Sequence, residues 1–151
     1  MKMNPKIAFY FTLLAANVFA HSDHDSEKSV PAVNPLTFAG VRNEMLTDPE
    51  LKDFQVESSI MTVAPGGVDP IAHRHDGELF GYVLKGSVQI ALGDKPAETY
   101  NAGQMFYEKR NVLHALTKNP SKDQPAEVLL VFIIKQGRAR YTLESPAPSK
   151  P

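Results

Sequence analysis

EVLLVFIIKQG, residues 127–137, holds seven apolar side chains in unbroken succession, four of them Val or Ile. A run of that kind fits a β-strand buried on both faces. Such a strand needs neighbours, and the chain supplies short apolar runs divided by turn residues. SSIMTVAPGG ends a strand in a Pro-Gly-Gly turn. LFGYVLKGSVQIALGDKP reads as two strands hinged at Lys85-Gly86 and closed by Gly93-Asp94. ETYNAGQMFYEKRN gives another pair around Asn101-Ala102-Gly103, HALTKN opens a further strand, and RARYTLE closes the sheet. Strands at intervals of about ten residues with this punctuation predict an all-β sandwich or barrel. The one short helical candidate lies at Pro49–Lys52, and no internal repeat is visible.

The 151 residues suit one domain, and a hydrophobic share of 42% suffices for a core. The ends read differently. MKMNPK carries two lysines and no acid; IAFYFTLLAANVFA is apolar, short for a bilayer span, and ends with Val18 and Ala20 at the −3 and −1 positions. Residues 1–20 thus have the three-part layout of a secretory signal, with an N-terminal membrane anchor as the alternative. Cleavage before His21 would remove Lys2 and Lys6 and move the formal charge from −1 to −3. Residues 21–35, HSDHDSEKSVPAVNP, form a flexible leader, residues 36–143 the folded body, and residues 144–151 a disordered tail. With no cysteine, an exported chain must be stabilised by its core, with a metal as the supplementary source. The expected location is periplasmic or secreted, with no membrane attachment after cleavage. No basic run is interleaved with aromatics, so nucleic acid is not an expected partner.

Three histidines lie in the folded body. His73 and His75 are one residue apart, so on a strand both rings face the same way. His114 follows a turn made by KRNVL. Two β-hairpins, one closed by Gly86 and one after Gly103, would bring the three imidazoles together. Imidazole suits Fe, Mn, Zn, Ni and Cu alike.

In these residues the sequence resembles the cupins. Their first motif runs Gly, five residues, His-x-His, three or four residues, Glu, six residues, Gly; here stand Gly67, His73-Arg74-His75 and Gly86. Their second motif runs Gly, five residues, Pro-x-Gly, two residues, His, three residues, Asn. Here it reads Gly103, QMFYE, Lys109-Arg110-Asn111, Val112-Leu113 and His114, with Asn119 one residue late. The resemblance covers about residues 60–134, with sixteen residues between Gly86 and Gly103. It implies a double-stranded β-helix, or jelly-roll barrel, with a divalent transition metal in its mouth. It also implies His73, His75 and His114 as ligands.

The pattern departs at the fourth ligand. The glutamate slot falls on Leu79, and the nearest acid, Glu78, is one position off. A one-residue offset turns a side chain to the other face unless a bulge restores it. Glu78 is therefore a candidate ligand only through a bulge. Glu108, at the end of strand Gln104–Glu108, is the other candidate, as ligand or as general base. If neither binds, three imidazoles and water hold the metal. Lys109 and Arg110 are expected near the cavity rim, with Asn111 taking a left-handed turn position. Most of Phe80, Tyr82, Phe106, Tyr107, Met61 and Met105 are expected in the core, with one or two lining a pocket for an apolar or aromatic ligand.

The resemblance admits a metal-dependent enzyme for a small organic molecule, of dioxygenase, isomerase or lyase type. It equally admits a non-enzymatic cupin that binds a metal or small ligand. Histidines that only brace the barrel are the third reading. A homodimer is expected from the resemblance alone, with Leu36–Met45 or Arg138–Leu143 as the exchanged or edge strand. Weak copper binding at His21 and His24 stands against a plain solvated leader.

Overall fold

The computed structural model describes residues 34–144. The candidate export signal, leader residues 21–33 with His21 and His24, and tail residues 145–151 lie outside the described residues. In chain order the strands are β1 (Leu36–Met45), β2 (Phe54–Val63), β3 (Val68–Asp69), β4 (His73–Arg74), β5 (Glu78–Lys85), β6 (Ser87–Leu92), β7 (Glu98–Asn101), β8 (Met105–Glu108), β9 (Leu113–Lys118), β10 (Ala126–Lys135) and β11 (Thr142–Leu143). One sheet has the order β1-β2-β10-β5-β8; the other has β11-β4-β9-β6-β7, with β3 paired to β9. The helical candidate is a single 3-10 turn, Pro49–Leu51, capped by Asp48, whose carboxylate accepts from Glu50 N at 2.9 Å. Among the described residues no helix is long and apolar enough to cross a membrane.

EVLLVFIIKQG is the central strand of the first sheet, β10. It keeps an unbroken antiparallel register with β2 from Ala126↔Val63 to Lys135↔Phe54. Its inward residues Ala126, Val128, Phe132 and Ile134 are buried, but Leu129, Val131 and Ile133 on the other face are half-buried. Burial on both faces, expected from the apolar run, is thus only half met. Two sheets packed face to face cover one surface each, and among the described residues no further layer covers the other. Between the sheets, Val63, Val83, Val88 and Val128 are wholly buried and pack with Ile90, Ile134 and Phe106.

The two expected hairpins do not form. β5 and β6 flank Gly86 but lie in different sheets, and so do β7 and β8 around Gly103. Each turn is a corner where the chain crosses from sheet to sheet. Gly86 permits its corner because its φ is +72° and a Cβ there would stand 3.1 Å from the Pro125 carbonyl oxygen. Crossing turns show the same Gly-containing signature as hairpin turns, so sequence pattern alone does not separate them. The true hairpin is β6–β7, registered Ser87↔Asn101 through Ile90↔Glu98. Crossing at corners such as these is what builds a double-stranded β-helix.

Asn119, the late motif residue, is 1% exposed and ties turns together. Its side-chain amide donates to the carbonyls of Val63, Ala64 and Gln124, and its Oδ1 accepts from Ser121 N. The two segments considered for strand exchange pair within their own chain, β1 with β2 and β11 with β4. Both are edge strands.

Candidate metal centre

β4 is short, yet it fixes the geometry. His73 is the direct cross-strand partner of His114 on β9, and His75 follows two residues later on the same side. The rings of His73 and His114 stack with centroids 4.6 Å apart, and His75 meets His73 edge-on at 4.8 Å. One ring nitrogen from each of the three lies within 4.8 Å of the others.

Hydrogen bonds set the tautomers of two rings. His73 Nδ1 donates to the Ile71 carbonyl at 2.7 Å, and His75 Nδ1 donates to the Arg140 carbonyl. A carbonyl only accepts, so each Nδ1 carries the proton and each Nε2 keeps its lone pair for a ligand. Burial holds the His73 pKa below its ordinary value of 6.5, against the Ile71 hydrogen bond, and the neighbouring His114 and His75 push the same way as burial. Neutral imidazole is the form that binds metal. His114 differs: its Nδ1 donates to Glu108 Oε1 at 2.9 Å, and its Nε2 accepts from the Thr117 hydroxyl at 2.8 Å.

Glu108 is 2% exposed and stands inside the barrel. Its Oε2 lies 3.9 Å from His75 Nε2 and, among the described residues, is the buried side-chain polar atom without a hydrogen-bond partner. Unpartnered buried oxygens are rare and point to a missing proton, water or ion. The position follows from register. Glu108 is the direct β8 partner of Leu79 on β5, and Leu79 fills the motif's glutamate slot facing inward. A carboxylate is therefore present at that level of the barrel, but on the adjoining strand.

Glu78 is not brought to the histidines. No bulge interrupts β5 there, so the one-residue offset turns it outward. It accepts from the Tyr107 hydroxyl and from Arg110 N instead. Lys109 and Arg110 also lie away from this cavity's walls; Arg110 pairs with Asp76. Asn111 does take the left-handed conformation, φ 60°, and its N–H donates to the His75 carbonyl at 2.8 Å. Of the aromatic and methionine candidates, Met61 and Phe106 face the histidines, whereas Phe80, Tyr82, Met105 and Tyr107 have the opposite strand parity and coat the outside of the first sheet.

The three rings open into a cavity of about 300 Å³ walled by Phe38, Met61, Leu79, Phe106 and Leu130. Tyr141 roofs it, stacked on His73 with centroids 4.4 Å apart. Burial, then Asp69, pushes the Tyr141 phenol above its ordinary value, so it stays protonated at neutral pH. Its backbone is held by β11 and by two ion pairs, Arg74–Glu144 at 2.7 Å and Arg140–Glu57. Nothing in the spacing singles out Tyr141 or Thr117. Tyr141 lies 27 residues beyond His114, outside either motif, and only the return of the C-terminal strand brings it back.

A family model described as a cupin domain matches residues 59–132. No protein of curated function matches the sequence. Among solved structures, the chain is similar to an uncharacterized conserved protein with a double-stranded β-helix domain from Klebsiella pneumoniae, with TM-score 0.56 and 17% identity over 78% of this chain and 90% of that one. It is also similar to oxalate oxidase in complex with the substrate analogue glycolate, with TM-score 0.54 and 21% identity over 74% of this chain and 55% of that one. Similarity to the DMSP lyase DddQ from Ruegeria pomeroyi reaches TM-score 0.50 and 17% identity over 58% of this chain. The chain spans 42% of that lyase's length. At such identities the likeness is one of fold. A cupin-domain match spanning all three histidines and the two-sheet crossing topology of a double-stranded β-helix together support the cupin superfamily for the folded domain.

Proposed function

We propose that the domain binds a divalent transition metal (Fe, Mn, Zn, Ni or Cu) through His73, His75 and His114, with Glu108 at the fourth side, and acts on a small organic molecule in the adjoining cavity. The observation that carries this reading is the unpartnered Glu108 Oε2 beside three converging imidazoles. Neutral imidazoles with one carboxylate suit these ions, whereas Mg and Ca favour all-oxygen sites. Bound there, the metal would supply Lewis acidity and open coordination positions for substrate. The chain's own groups do the positioning. The Ile71 and Arg140 carbonyls lock the His73 and His75 rings. Glu108 orients His114 through Oε1 and keeps Oε2 to ligate or to accept a proton from the bound molecule. Ligation through His114 Nε2 displaces the Thr117 hydroxyl, at a cost of about 1 kcal/mol for one hydrogen bond.

Elemental mass spectrometry on untagged protein tests the site. We expect about one metal per chain in the wild type and loss of it in His73→Ala and His114→Ala. No metal after reconstitution overturns the reading. A second reading, metal or ligand binding without turnover, is favoured by Leu79 in the glutamate slot. Stoichiometric metal with no turnover across small oxygenated and acidic compounds would select it.

We also propose export to the periplasm or beyond, on the three-part N-terminal pattern. N-terminal sequencing of protein from the periplasmic fraction should begin at His21; protein retaining Met1 and confined to the cytosol would overturn it.

A further inference from the structure

We infer that the cavity takes a small ligand with a single acidic or hydroxyl head and an uncharged apolar body, and that it rejects dianions of the same size. The inference rests on the metal reading above and deepens it by naming the ligand class.

Size comes first. A cavity of about 300 Å³ is at the lower limit for small-molecule sites, so the occupant is short-chained or a single ring. Next is the character of the wall. Away from the histidines it is built from Phe38, Met61, Ile90, Phe106 and Leu130, which offer area but no hydrogen bonds to a second polar group. The Tyr141 ring adds a flat aromatic roof.

Charge decides between ligand classes. Apart from the histidines, the ionisable acids on the cavity wall are Asp69 and Glu108, and among the described residues no lysine or arginine lines it. A divalent ion would be neutralised by those two carboxylates already. One anionic head can still be held by direct ligation, but a second carboxylate would meet no cation, only apolar side chains and the neutral Asn34, Thr117 and Tyr141. Burying an unpaired charge is strongly unfavourable. The guanidiniums of Arg42 and Arg140 line an adjoining space that shares Phe38, Leu79, Leu130 and Tyr141 with this one, not the cavity itself. Both are already engaged, Arg140 by three bonds to Glu57 and Arg42 by Glu44. The charges of that neighbouring space are therefore paired with one another, and the interior has no cation for a second negative group.

Butyrate and succinate make a matched pair, since succinate replaces the butyrate methyl with a second carboxylate. Protein loaded with cobalt(II) reports ligand entry through its visible absorption, with retained cobalt checked after dialysis. Butyrate should perturb the spectrum at a concentration at least tenfold below succinate, and several-fold below acetate, which lacks the apolar body. Phe38→Arg places a cation on the shared wall of adjoining space and cavity from an exposed edge strand, where folding is least at risk. That variant should narrow the butyrate preference or reverse it. Succinate equal to or tighter than butyrate in the wild type overturns the inference while leaving the metal reading intact. Absence of any cobalt spectrum overturns the metal reading, and the inference falls with it.

Discussion

Glu108→Leu should weaken metal binding about 10- to 100-fold, the loss typical when a group holding a ligating histidine is removed. A carboxylate at position 79 should restore most of it. The expectation comes from register: Leu79 and Glu108 are direct partners across β5 and β8, both face the cavity, and they are 6% and 2% exposed. Directly opposed residues have Cβ atoms about 5 Å apart, within the reach of a glutamate side chain. The double variant Leu79→Glu/Glu108→Leu thus moves the carboxylate across one strand spacing without changing its level in the barrel. Leu79→Glu alone buries two carboxylates side by side and should lower stability of the metal-free protein. Glu108→Leu without metal removes one oxygen that has no partner but also leaves the buried His114 Nδ1 without its acceptor, so it should lower stability. Isothermal titration with one metal across the four proteins decides. Wild-type affinity in Glu108→Leu would reduce Glu108 to a bystander at the site.

The same pair shows how much of this protein was legible beforehand. Spacing marked His73, His75 and His114 because a ligand pair on one strand has a fixed period and the motif glycines flank it. Period also explains why Glu78 faces out: alternation is a local property of β5, readable without a fold. Glu108 is legible as an acid that a turn can bring beside His114, as ligand or base, but its cross-strand partner Leu79 is not. Which strands pair is decided by non-local register, and β5 meets β8 only because the chain crosses between sheets at Gly86 and again near Gly103. The crossings themselves look like hairpins in the sequence, since a turn sequence records a change of direction and not the destination. Tyr141 carried no signal, because it reaches His73 through a two-residue strand closing the far end of the chain. Local chemistry and period are written in neighbouring residues; a site assembled from four strands is not.

Gly81→Ala should be the most damaging single methyl that can be added to the barrel. A Cβ at Gly81 would fall 2.1–2.5 Å from three atoms of the Phe106 ring, closer than any real contact permits. Gly81 and Phe106 are direct partners across β5 and β8, so the ring lies over the bare backbone opposite it. Phe106 is 3% exposed, packed in the core and lining the cavity, so it cannot swing into solvent. Overpacking of this kind costs about 3 kcal/mol, a large part of a small domain's stability of about 5–15 kcal/mol. At about 5 °C per kcal/mol, Tm should fall by about 15 °C. Phe106→Leu should also destabilise on its own, by loss of ring contacts. In Gly81→Ala/Phe106→Leu the added methyl finds the space that the ring has left, so the two losses should sum to less than their separate values. That coupling is the reading that matters, because it isolates the ring from general damage to β5. Additive losses, or a Gly81→Ala change within about 0.5 kcal/mol, would show that the ring does not depend on the bare backbone. The test reaches function as well: Phe106 is one wall of the space beside the histidines. A glycine that offers no side chain of its own thereby helps set how large a molecule that space can hold.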